Sequence, residues 1–79
     1  MTDSEKLYHL DAKGLRCPLP VLRARKMLKS LEVGAHLKVE ATDPGAPRDF
    51  AAFCETNGYR LISSEQTDSV YNFLIERSV

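Results

Sequence analysis

Hydrophobic residues along this chain follow two spacings, every second residue and every third or fourth, and the switches between them mark its elements. Leu7–Asp11 is short and leans apolar, placing Tyr8 and Leu10 on one face of a first strand. Ala12–Arg16 is a Gly-containing loop. From Cys17 to about Glu32 the period lengthens: Val21, Ala24, Leu28 and Leu31 fall on one helical stripe, with Met27 at its border and Gly34 as the expected stop. His36–Thr42 alternates strictly, with Leu37, Val39 and Ala41 inward and His36, Lys38, Glu40 and Thr42 outward, the mark of a half-buried strand. Asp43-Pro44-Gly45-Ala46-Pro47 is turn chemistry leading into a second helix, with Asp43 as its expected cap. Ala46, Phe50, Phe53 and Cys54 share one face of that helix, and Gly58 stops it. Tyr59–Ser64 and Val70–Glu76 are two further strands, a hairpin joined by the polar loop Glu65–Ser69.

The order is therefore β-α-β-α-β-β. Strand-helix-strand crossovers are almost always right-handed, so both helices are expected on one face of a four-stranded mixed sheet. That is a two-layer α/β sandwich of the α+β type. At 79 residues the whole chain, 1–79, is read as one domain, with 1–6 as a flexible N-terminus.

Composition narrows the class. A hydrophobic fraction of 43% and a charged fraction of 28% are ordinary for a globular chain. The polar N-terminus is read as lacking a secretory signal, and no apolar run in the sequence reaches the length of a membrane span. Two cysteines, Cys17 and Cys54, are too few for the disulfide framework of a small secreted domain. The expected location is the cytoplasm, with no membrane association.

Net charge is zero, with eleven basic and eleven acidic residues, but the distribution is lopsided. Lys13, Arg16, Arg23, Arg25, Lys26 and Lys29 lie between Ala12 and Leu31, where there is no acidic residue. Cations in a first helical turn oppose the helix dipole. Leu19 and Leu22 fall opposite the apolar stripe, beside Arg23 and Lys26. Lys13, Leu19, Leu22, Arg23 and Lys26 together are read as a docking surface for a partner.

The chemistry is concentrated in Gly14-Leu15-Arg16-Cys17-Pro18-Leu19-Pro20. Cys17 is expected at the helix N-cap with Pro18 as the first helical residue, where its missing N–H costs nothing. Pro20 stiffens the same turn, and Gly14 and Arg16 shape and charge the loop. A helix N-terminus and neighbouring cations lower a thiol's pKa, so Cys17 is read as an exposed, activated nucleophile. Cys54, on the Phe50/Phe53 face, is read as core.

Several chemistries are set aside. With no second cysteine near Cys17, a dithiol mechanism is closed. There is no phosphate loop. The two histidines, His9 and His36, and the two cysteines show no metal-ligand spacing, so no metal site is expected. A pairing of Cys17 with one histidine stays open at this level. A domain this small does not surround a substrate, which suits carrying a group better than transforming one.

Leu10-Asp11-x-x-Gly14-Leu15-x-Cys17-Pro18-x-Pro20, the helix to Gly34, Ala41-Thr42-Asp43-Pro44, and Asp49-Phe50 through Phe53-Cys54 resemble the TusA/SirA-like sulfur carrier proteins. The resemblance runs from about Leu7 to Ile75. It implies a βαβαββ sandwich similar to the C-terminal domain of bacterial initiation factor three. It also implies that Cys17 accepts sulfane sulfur as a persulfide from a cysteine desulfurase or a rhodanese. The sulfur then passes to a DsrE/TusD-like acceptor, for tRNA 2-thiouridine formation or another sulfur-trafficking pathway. Such a protein is a stoichiometric carrier of the sulfurtransferase class, monomeric, with no cofactor beyond the transient persulfide.

A reading of another class stands beside it, a non-catalytic regulatory or RNA/protein-binding module using the basic helix face. Binding of that kind is salt-dependent and indifferent to Cys17→Ser. None of the six aromatic residues is interleaved with those cations, which argues against direct nucleic-acid binding.

Overall fold

The structure, a computed structural model, describes residues 6–79. All but one residue of the expected flexible N-terminus thus lies outside the described part. The elements are β1 Leu7–Ala12, α1 Leu19–Ser30, β2 His36–Ala41, α2 Ala46–Asn57, β3 Arg60–Thr67 and β4 Val70–Glu76, in the predicted order.

The sheet runs β1-β2-β4-β3. Strand β2 pairs in parallel with β1, in register from Leu7↔His36 to Ala12↔Ala41, and antiparallel with β4. Period-two alternation puts Ala12, Leu37, Val39, Ala41, Phe73 and Ile75 on the face that the helices cover. The mixed sheet with both helices on one face is the two-layer sandwich expected.

Helical periodicity supplies the other layer. Ala24, Leu28 and Leu31 are buried as the stripe predicts, while Val21 and Met27 are partly buried at its margin. On α2, Ala46, Phe50, Phe53 and Cys54 are buried. Phe50 stacks on Phe73 of β4 with ring centroids 4.5 Å apart, and it meets Phe53 edge-on. Truncating a fully buried Phe costs about 3–5 kcal/mol, so this one contact largely fixes how α2 sits on the sheet.

Strand ends shift by one residue at Ala12, Ala41 and Arg60, and four larger features differ from expectation. Helix α1 begins at Leu19, one residue after the expected start at Pro18; Pro18, not Cys17, is its N-cap, and the Leu22 N–H donates to the Pro18 carbonyl at 3.1 Å. Pro20, inside the first turn, is fully buried. The same helix ends at Ser30 with Leu31 already extended, so Gly34 is not its stop. Gly34 instead takes a φ of 97° in the turn that feeds β2, and Arg77 reaches across to bond the carbonyls of Leu28, Lys29 and Leu31 at the end of the helix. Asp43 does not cap α2, whose N-cap is Gly45; its carboxylate accepts the Gly45 N–H at 2.8 Å in the turn just before. Finally, β3 continues through Thr67, leaving only Asp68 and Ser69 to turn the hairpin, with Asp68 at a φ of 56°.

Candidate functional site

Strands β1 and β2 are parallel neighbours, so the loops leaving their C-terminal ends must lie side by side. Those loops are Lys13–Pro18 and Thr42–Gly45, and each leads into a helix. The first is held by short bonds: Lys13 N–H to Asp11 Oδ1 at 3.0 Å, Leu15 N–H to the Ala12 carbonyl at 3.2 Å, and Gly14 N–H to Thr42 Oγ1 at 2.9 Å. Gly14 has a φ of 84°, which a side chain would strain. The Leu19 N–H closes a turn on the Arg16 carbonyl at 2.7 Å, and the Cys17–Pro18 peptide within it is cis.

Cys17 stands on this turn, exposed to solvent. Its thiol does not cap α1, whose N-terminus has no side-chain cap. Sγ instead donates a short hydrogen bond to Asp49 Oδ2, in the first turn of α2. Gly45 lies against the site: a Cβ there would be in ordinary contact with Cys17 Sγ at 3.7 Å and tight against the Asp43 carboxylate at 3.1 Å.

This arrangement reverses the expected activation. The bond to Asp49 raises the Cys17 thiol above its usual range, and desolvation and the negative charges of Asp49 and Asp43 push the same way. The physical reason is the one-residue difference in the helix start. With Pro18 as N-cap, Cys17 lies outside the first turn and meets the carboxylates of α2. Adjacent Arg16 does not offset them.

Lys13, the other cation expected near the thiol, is engaged elsewhere. Its ammonium lies 2.9 Å from Asp11 Oδ1 and 3.0 Å from Glu40 Oε1, and both pairings raise its pKa. Of the remaining expected docking residues, Leu22, Arg23 and Lys26 share one groove, and Leu19 is not in its lining. Leu19 and Leu22 are 45% and 49% exposed, high for leucines. Leu22, Arg23 and Lys26 line a groove of about 660 Å³ with Leu10, Met27 and Ser30, where α1 overhangs the edge strand β1. Leu10 and Met27 enter the surface only because β1 is an edge strand.

A larger hollow of about 1030 Å³ lies on the uncovered face of the sheet, away from Cys17, with His36 in its lining. Among the described residues the thiol's hydrogen-bond partner is Asp49 and not an imidazole. Cys54 is buried, and burial pushes its thiol up to about 11. No helix among the described residues is long and apolar enough to cross a membrane.

Asp49 is the residue that sequence reasoning missed as a partner of Cys17. The signal was available. Once β1 and β2 are taken as parallel neighbours, the N-termini of both helices gather at one end of the sheet, and Asp49 is the acid in the first turn of the second.

The family model described as sulfurtransferase TusA matches residues 8–77. The sulfur carrier protein TusA of Allochromatium vinosum is 48% identical over 69 residues, covering 87% of this chain and 91% of that one. In fold, the crystal structure of a SirA-like protein from Desulfitobacterium hafniense superposes with a TM-score of 0.80 at 28% identity, over 92% of this chain and 99% of that one.

Proposed function

The chain belongs to the TusA sulfurtransferase family and shares its sulfur carrier role, and from that premise we propose that Cys17 is the carrying atom. It takes sulfane sulfur from a cysteine desulfurase or a rhodanese and gives it to a DsrE/TusD-like acceptor. The route ends in tRNA 2-thiouridine formation. The observation that carries this reading is the exposed Cys17 thiol on a turn stiffened by Pro18 and Pro20, whereas the other cysteine, Cys54, is buried.

Loading begins when Cys17 loses its proton and its sulfur attacks the terminal sulfur of the donor's persulfide. The donor's S–S bond breaks, its thiolate leaves and takes up a proton, and Cys17 becomes a persulfide. Delivery is the same exchange in reverse, with the acceptor's thiolate as nucleophile. No resident metal or cofactor takes part. Gly14 and Arg16 hold and charge the loop, while Leu19, Leu22, Arg23 and Lys26 meet the partner. Lys13, tied to Asp11 and Glu40, supports the loop from beneath. One monomer serves each partner in turn, in the cytoplasm, where thiols stay reduced.

The test is intact-protein mass spectrometry after incubation with a cysteine desulfurase and free cysteine. One added sulfur atom, removed by a reducing thiol, is expected in wild type and Cys54→Ser and absent in Cys17→Ser. If neither a desulfurase nor a rhodanese loads the protein, the carrier assignment of Cys17 falls. Salt-dependent binding that ignores Cys17→Ser would then mark the basic face of α1 as the working surface.

A further inference from the structure

Resting on the carrier reading, we propose that Asp49 is a positioning residue that biases Cys17 toward giving up its sulfur, by holding the empty thiol in a hydrogen bond that the persulfide cannot keep. The bond is made by the Sγ proton. When sulfur is added, Sγ becomes a bridging atom without a proton, and the donor that Asp49 accepted from is gone. The outer sulfur of a persulfide is more acidic than a thiol and carries negative charge near neutral pH. It meets Asp49 on α2 and Asp43 in the turn before it, the two charged groups that act on Cys17. Arg16 does not offset them. Both effects favour the unloaded form.

The logic parallels redox poise, where stabilising one partner of a sulfur exchange sets its direction. Here the stabilised species is the protonated thiol. Strengthening it makes the carrier harder to load and quicker to discharge, and lowers its reactivity toward stray electrophiles between partners. Gly45 adjoins the device: a Cβ there would press on the Asp43 carboxylate at 3.1 Å while only touching Cys17.

Two measurements test this. The first is the pH dependence of Cys17 alkylation by iodoacetamide. Its midpoint is expected to fall by about one pH unit in Asp49→Asn, by less in Asp43→Asn, and to return toward wild type in Asp49→Glu. The second is the fraction of protein carrying a persulfide at equilibrium in a fixed mixture of glutathione persulfide and glutathione. The exchange balances as glutathione persulfide and Cys17 thiol against glutathione and Cys17 persulfide. Asp49→Asn is expected to raise the loaded-to-unloaded ratio by about the same factor of ten that a one-unit shift represents.

A lowered midpoint with an unchanged ratio overturns the bias. So does an unchanged midpoint, which would show that the hydrogen bond does not hold the thiol in solution. Wild type that takes no sulfur from glutathione persulfide or from a desulfurase removes the carrier reading itself. The alkylation midpoint reports on Asp49 in either case.

Discussion

The Gly14 amide donates to Thr42 Oγ1 at 2.9 Å, and this bond joins the loop that carries Cys17 to the end of the neighbouring parallel strand. Thr42→Val keeps the shape and removes the acceptor. The expected cost is about 0.5–1.5 kcal/mol, and because the bond is exposed, the lower half of that range. For a domain this small that is a fall in Tm of a few degrees, read by thermal denaturation.

Gly14 itself offers a cleaner separation of causes. An added Cβ would have nothing within 4 Å, yet the residue's φ is 84°. Gly14→Ala therefore has no clash to relieve, and its cost is the left-handed backbone alone, about 1–2 kcal/mol. Gly14→Asn should recover part of that loss, because Asn tolerates this region better. Equal losses for Ala and Asn would show that the loop responds to something other than its dihedral angles.

Arg77 closes the other end of α1. One nitrogen of its guanidinium serves the carbonyls of Leu28, Lys29 and Leu31, and its Nε donates to the Val79 carbonyl at 3.0 Å. Arg77→Met keeps the stem and removes the donors, taking from the half-buried Leu31 carbonyl its guanidinium partner at about 1–3 kcal/mol, while the Leu28 carbonyl keeps the Leu31 N–H. Urea denaturation should show a lower midpoint with an unchanged slope. Lys at this position should rescue only partly, since a single ammonium is a point charge and not a planar fork.

Most of the fold was legible because most of it is amphipathic. The Ala24/Leu28/Leu31 stripe and the Leu37/Val39/Ala41 alternation each bury one face, and a buried face leaves a period in the sequence. Glu65, Gln66 and Thr67 left none. They are exposed residues of edge strand β3, where the ladder to β4 holds the backbone but no core selects the side chains, so the sequence reads as loop. The site was half legible. Cys17, its prolines and the exposed leucines stand in one contiguous motif, whereas Asp49 is 32 residues away and reaches Cys17 through parallel pairing. Local signals place a residue on an element; they do not say which two loops will touch.

Burial raises the Cys54 thiol to about 11, against 9.0 for an unperturbed cysteine. The fold thus favours the protonated form. That contribution is complete below about pH 9 and is lost as pH rises through 11, because the unfolded chain releases its proton first. The stability difference between wild type and Cys54→Ala should therefore be flat near neutrality and shrink across that window. Under native conditions a thiol reagent should label one cysteine per chain, Cys17, and reach Cys54 only on unfolding.

The groove formed by Leu22, Arg23, Lys26 and Met27 on α1 against Leu10 on β1 pairs exposed apolar surface with two cations that make no ion pair among the described residues. A partner suited to it is acidic around an apolar contact. Charge of this kind acts on encounter rate more than on the strength of the finished complex. Arg23→Glu with Lys26→Glu should then slow sulfur transfer with that partner by about tenfold or more at low ionic strength, a gap that narrows as salt screens the charges. Leu22→Ala should act differently, shortening the lifetime of the complex with little dependence on salt. Neither change should move the pH midpoint of Cys17 alkylation, because the charges that act on it are Asp49 on the other helix and Asp43 in the turn before that helix. If charge reversal changes the alkylation midpoint as much as the transfer rate, the groove and the thiol are one electrostatic unit, and the division of docking from chemistry between α1 and α2 is wrong.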